Sequence, residues 1–189
     1  MPRVEEALLL IRTYDPVSYR RVTHELERVR VFVVPGSAAV YRESLGTCQV
    51  DERYVRDSSA EFIASTIVHE ATHARLARCG IAYEQKHRVR IERVCTRRQI
   101  AFAAKLPNGE EACEQAQDQL AGFSPEVFTN QAFAEREDRG GVEALRYLGV
   151  PEWLIRAILR VRNARIAFGG GAAGATAKMS SNNSSLNHK

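Results

Sequence analysis

The sequence predicts an α+β fold, with a small antiparallel or mixed sheet packed on two long helices and further helices behind them. Three observations predict it. Apolar residues at helical spacing open the chain, first Val4, Ala7, Leu8 and Ile11, then Val22, Leu26 and Val29. Short β-branched and aromatic runs follow between residues 30 and 55, punctuated by Pro35-Gly36 and Leu45-Gly46. Beyond them the long segments return to helical periodicity.

Taken in order, residues 3–30 read as helical with a break at Asp15-Pro16. Residues 30–34 (Arg-Val-Phe-Val-Val) read as a strand stopped by Pro35-Gly36. Ala39–Glu43 and Thr47–Val55 are two further strand candidates. Their polar and apolar residues do not alternate cleanly, which suits an edge position for one of them. Asp57-Ser58-Ser59, with Glu61 close behind, starts a helix that runs to about Arg78 and stops at Cys79-Gly80. Its apolar residues cover most of the circumference, so it should be largely buried.

A second long helix is expected from about Glu84 to Lys105, stopped by Pro107-Asn108-Gly109. Short helices are expected at 111–121 and 125–137. Gly140-Gly141 should separate them from a last helical pair near 142–148 and 151–167, with Pro151 at a helix start. Residues 169–189 are Gly, Ala, Ser and Asn with few apolar anchors, the composition of a disordered tail. The expected organisation is one domain over residues 1–168 followed by that tail.

The bulk properties exclude little. A net charge of +4 over 189 residues does not by itself call for nucleic acid. No run reaches the roughly 18 apolar residues that span a bilayer. The cluster Ala7 to Ile11 is too short for a secretory core, so a cytoplasmic protein with no membrane partner is expected. Cys48, Cys79, Cys95 and Cys113 form no C-x-x-C pair, so reduced thiols are expected rather than a cysteine-only zinc site. Residues 75–98 carry eight basic side chains against two acids. That run reads as a solvated helix face in preference to a surface for nucleic acid or an acidic substrate.

His69-Glu70-Ala71-Thr72-His73 carries the chemistry. Positions i and i+4 share one helix face, so both imidazoles can reach one zinc ion at about 2.0–2.1 Å. Glu70 lies beside the first ligand, placed to take a proton from water on the metal as it attacks a carbonyl. The pattern belongs to zinc-assisted hydrolysis because the chemistry needs that spacing. A catalytic site also needs a third protein ligand and an open position. Glu92 is the leading candidate, nineteen positions after His73 on the next helix, with Cys79, Cys95, Glu84 and His87 as alternatives. Tyr83 and His87, in the loop and early turn between the two helices, are candidate donors to the oxyanion.

In His69, Glu70, His73 and Glu92 the chain resembles the gluzincin metallopeptidases, over roughly residues 30–106. The resemblance implies a zincin-like fold, a bound Zn2+ and a peptide or protein substrate. Many gluzincins carry Asp four residues after the ligand glutamate to orient the first histidine, where this chain has Thr96. A weaker similarity, at Ala101–Pro107, is to small intracellular HExxH peptidases that cleave phage-type repressors. Two other readings compete: a catalytically inactive metal-stabilised regulatory module, and a basic nucleic-acid-associated regulator.

Overall fold

The computed structural model describes residues 2–169, with side chains described through Arg162. The expected disordered segment beyond Gly169 lies outside the described residues. The chain divides into two compact units, residues 1–144 and residues from Leu145 onward, with the boundary inside a helix.

The first unit begins with α1 (Pro2–Tyr14), whose stripe Val4, Ala7 and Ile11 is buried. Asp15 separates it from α2 (Pro16–Glu25) by capping the new helix, accepting the Ser18 N–H at 3.1 Å. Lys105 anchors the same carboxylate at 2.6 Å. Burial works against the charge of Asp15, but the Lys105 and Ser18 hydrogen bonds outweigh it and hold the carboxyl below its ordinary range.

A three-stranded mixed sheet follows in the order β1 (Arg28–Phe32), β3 (Thr47–Asp51), β2 (Ala39–Arg42). β1 runs parallel to β3 with Arg28 opposite Thr47, and β2 runs antiparallel to it with Tyr41 opposite Cys48. The helical stretch expected to reach residue 30 stops at Glu25 and the first strand starts at Arg28, while the early ends of the first and third strands share one cause. The first strand ends at Phe32, two residues early, because Val34 N–H leaves the sheet to bond the Asp51 carboxylate at 2.8 Å. The third ends at Asp51 rather than Val55. Asp51 also accepts Arg53 N–H at 2.9 Å and Tyr54 N–H at 3.3 Å, and so caps α3 (Glu52–Asp57).

α4 (Ala60–Arg78) is the hub, packing against α1, α2, β2, β3, α5 and α6. Ile63, Ala64, Ile67, Val68, Ala71 and Ala74 fill the core with Cys48, Val50 and Phe102. Gly80 (φ 77°) ends α4, with Gly80 N–H on Ala77 O and Ile81 N–H on Leu76 O. α5 (Gln85–Ala103) returns beside it. α6 (Glu110–Ala121) and a short 3-10 turn (Pro125–Phe128) lead to α7 (Asn130–Tyr147).

α7 corrects two expectations. It runs unbroken through Gly140-Gly141, so there is neither a separate 125–137 helix nor a separate 142–148 helix. Gly140 is where the helix backbone meets the Pro35-Gly36 turn: a Cβ there would stand 2.1 Å from the Gly36 nitrogen. In the second unit, Gly149 (φ 77°) closes α7, and α8 (Glu152–Gly169) follows, one residue after the expected Pro151.

Candidate metal centre

α4 and α5 lie antiparallel, since Ser65 and His69 face Gln99 while His73 faces Glu92. The one-turn spacing of His69 and His73 puts both imidazoles on the α5 side of α4. Their Nε2 atoms are 3.1 Å apart. Glu92 reaches across with Oε2 3.4 Å from His69 Nε2 and Oε1 3.4 Å from His73 Nε2. The three side chains are only 11–15% exposed, so they are drawn out of water without being sealed off.

The donor set fits a cation. Two imidazole lone pairs and a carboxylate at this range repel unless a positive charge lies between them. Ligands arranged tetrahedrally at about 2.0–2.1 Å from zinc stand about 3.3–3.4 Å from each other. The two Nε2 atoms stand 3.1 Å apart, near that spacing, and the carboxylate brings a different oxygen to 3.4 Å from each. A proton on an imidazole also supplies such a charge. Burial opposes the charged form of His73, yet Cys95, Glu92 and Glu70 push its pKa well above the ordinary value. Burial likewise opposes the Glu92 carboxylate, but the hydrogen bonds from His69 and His73 hold it far below the usual range.

His69 is oriented by a group that sequence reasoning missed. Ser65 Oγ donates to Phe62 O at 2.9 Å and is left to accept from Gln99 Nε2 at 3.5 Å. That fixes the Gln99 amide with Oε1 towards His69 Nδ1, 3.0 Å away. A proton is therefore held on Nδ1, which leaves Nε2 as the nitrogen that would face a cation. Thr96, where gluzincins place the orienting Asp, is fully buried and its hydroxyl has no partner among the described residues. The available signal was Gln99 itself, a polar residue on the mostly apolar face of α5, two helical turns after Glu92.

Of the proposed catalytic groups, Glu70 is buried beside the histidines, and its Oε2 accepts the backbone N–H of Tyr41 at 2.7 Å. Asp51 N–H bonds Ala38 O, so antiparallel alternation turns residues 38, 40 and 42 of that chain towards β3. The backbone groups of Ala39 and Tyr41 point off the sheet, and Glu70 therefore meets its open edge. Tyr83 donates to Glu92 Oε1 at 2.5 Å, and its ring meets the His73 ring edge-on at 5.5 Å. Burial first, then the Glu92 charge, pushes its phenol pKa far upward. His87 is exposed on the first turn of α5, and none of the contacts that hold the cluster together involves it.

Among the alternative third ligands, Cys79 is exposed at the end of α4, and exposed Glu84 pairs with Lys86 at 3.0 Å. Cys95 is different. It is fully buried one turn after Glu92, and its thiol lies within 4.8 Å of a ring nitrogen of each histidine.

Among the described residues no helix is long and apolar enough to cross a membrane. No known protein family, curated protein or solved structure matches this chain.

Proposed function

We propose that this protein is a zinc-dependent hydrolase of peptide bonds with a zincin-like arrangement of its sheet and two ligand helices. The observation that supports it is the convergence of His69, His73 and Glu92, with the two Nε2 atoms 3.1 Å apart and a Glu92 oxygen 3.4 Å from each. Bound zinc would supply Lewis-acid activation of water and of the scissile carbonyl. Glu70 takes the proton of the attacking water and passes it to the leaving amine. Tyr83 holds the Glu92 carboxylate with its one hydroxyl proton and, beside His73, could donate to the oxyanion only by releasing Glu92. An extended peptide or protein substrate adds along the outer edge of β2, where Ala39 and Tyr41 offer backbone groups. The four free cysteines suit a reducing, cytoplasmic setting.

The test is metal analysis of purified wild type and His73→Ala, beside peptide hydrolysis by wild type and Glu70→Gln. Stoichiometric zinc lost in His73→Ala, with hydrolysis lost in Glu70→Gln while zinc stays, is the expected result. Full activity in Glu70→Gln removes the mechanism.

One observation favours a second reading, a metal-stabilised module without turnover. His69, His73 and Cys95 offer donor atoms within 4.8 Å of one another, and a thiolate taken onto the ion beside the two imidazoles would fill the position that water needs. Cobalt substitution separates the two. A sulfur-to-cobalt charge-transfer band that disappears in Cys95→Ala marks the closed site; cobalt bound without that band marks the open one.

A further inference from the structure

Beside the metal centre lies a small wall of cations and aromatic rings. The Tyr83 ring stands between His73, at 5.5 Å, and Phe133, at 5.8 Å. The Arg88 guanidinium lies 4.6 Å from the Phe133 centroid and 5.5 Å from that of Tyr83. The Arg136 guanidinium lies 4.9 Å from Phe133 and 5.8 Å from Phe128. Two guanidiniums thus share one aromatic ring. Among the described residues no carboxylate forms an ion pair with either. Arg88 spends Nη1 on Phe128 O at 3.3 Å, and its buried Nε has no partner.

Two guanidiniums on one ring thus place positive charge beside the site with no carboxylate among the described residues paired to it. An anion seated against the wall would balance that charge. We propose that Arg88 and Arg136 form a carboxylate-binding subsite of the hydrolase, selecting peptides with a negative charge near the scissile bond. The proposal rests on the peptidase reading of His69, Glu70, His73 and Glu92. From His73 to Arg88 there are two steps of 5.5 Å through the Tyr83 ring. About three residues of extended peptide, at about 3.3 Å each, cover that span. The carboxylate is therefore a free C-terminus within about three residues of the cleaved bond, or an acidic side chain there. Planar guanidiniums backed by rings suit bidentate capture of such a group.

The experiment compares kcat/KM of the zinc-loaded protein on matched short peptides, Glu against Gln and free C-terminus against amide, in wild type, Arg136→Met and Arg88→Lys. The expected wild-type preference for the charged peptide is about tenfold or more, the yield of one charge-assisted pair. It collapses towards unity in Arg136→Met, a part-exposed position that tolerates change, and drops in Arg88→Lys, which keeps charge but loses the planar stack. Preference for the free C-terminus identifies that group, and preference for Glu identifies the side chain. Equal use of charged and neutral peptides by wild type, or a preference unchanged in both variants, overturns the subsite. Calorimetric binding of the same peptides to zinc-loaded Glu70→Gln, with and without Arg136→Met, provides a readout free of turnover. A charge preference lost with Arg136 there, in a protein that hydrolyses nothing, keeps the subsite and removes the hydrolase; no charge preference there overturns the subsite.

Discussion

An imidazole ligates through one nitrogen, and the partner of its other nitrogen selects which one. For His69 that partner is Gln99, itself held by Ser65. Gln99→Leu should therefore weaken zinc binding by about 10–100-fold with the fold intact, measured by competition with a chromophoric chelator. Gln99→Glu restores an acceptor and should recover most of the affinity. Asp51 makes the same kind of argument for stability. It is 3% exposed and accepts from Val34 N–H, Arg53 N–H, Tyr54 N–H and the Arg53 side chain. Burial opposes its charge, but those bonds prevail and its pKa falls below 3.8. A lowered carboxylate pKa contributes stability at pH above the unfolded value, and that stability drains away as pH falls towards the folded value. Denaturant unfolding should show wild type losing stability as pH drops below about 4. Asp51→Asn should be less stable than wild type at pH 7 by about 1–3 kcal/mol and should lose less stability than wild type across the acid range.

At the level of elements, two adjacent glycines in α7 make opposite predictions. Glycine costs a helix about 1 kcal/mol relative to alanine. Gly141 has open space around a would-be Cβ, so Gly141→Ala should raise stability by about 0.5–1 kcal/mol. Gly140 lies on the Gly36 backbone, with a Cβ reaching 2.4 Å from the Gly36 Cα, so Gly140→Ala should lower the melting temperature despite its better propensity. These cases show which features could be read from the sequence. α4, its Gly80 stop and the shared face of His69 and His73 depend on residues within a few positions, and they were legible. The ends of β1 and β3 depend on one carboxylate bonding Val34 across seventeen residues, and Gly140 depends on a turn about a hundred residues away. Glu92 was legible as a candidate from helix spacing. Gln99 was not, because its part depends on which turn of α5 faces Ser65.

For the whole molecule, on the proposed metal reading a cation joining α4 to α5 would tie the core helix to the next one and make metal binding part of folding. Ligand at about 100 times its dissociation constant adds about 2.7 kcal/mol to the folded state. Chelation should lower the unfolding midpoint of wild type and leave His73→Ala unmoved, as followed by circular dichroism with and without added zinc. The tie between Glu70 and Tyr41 N–H has a further consequence on the hydrolase reading. A chain laid along the outer rim of the sheet needs that amide for its own carbonyl, and in taking it frees the carboxylate. The latch that keeps the base idle is thus opened by the cargo itself. Small amides that lack the backbone to lift it should bind and leave uncut, while longer peptides arm the enzyme as they dock.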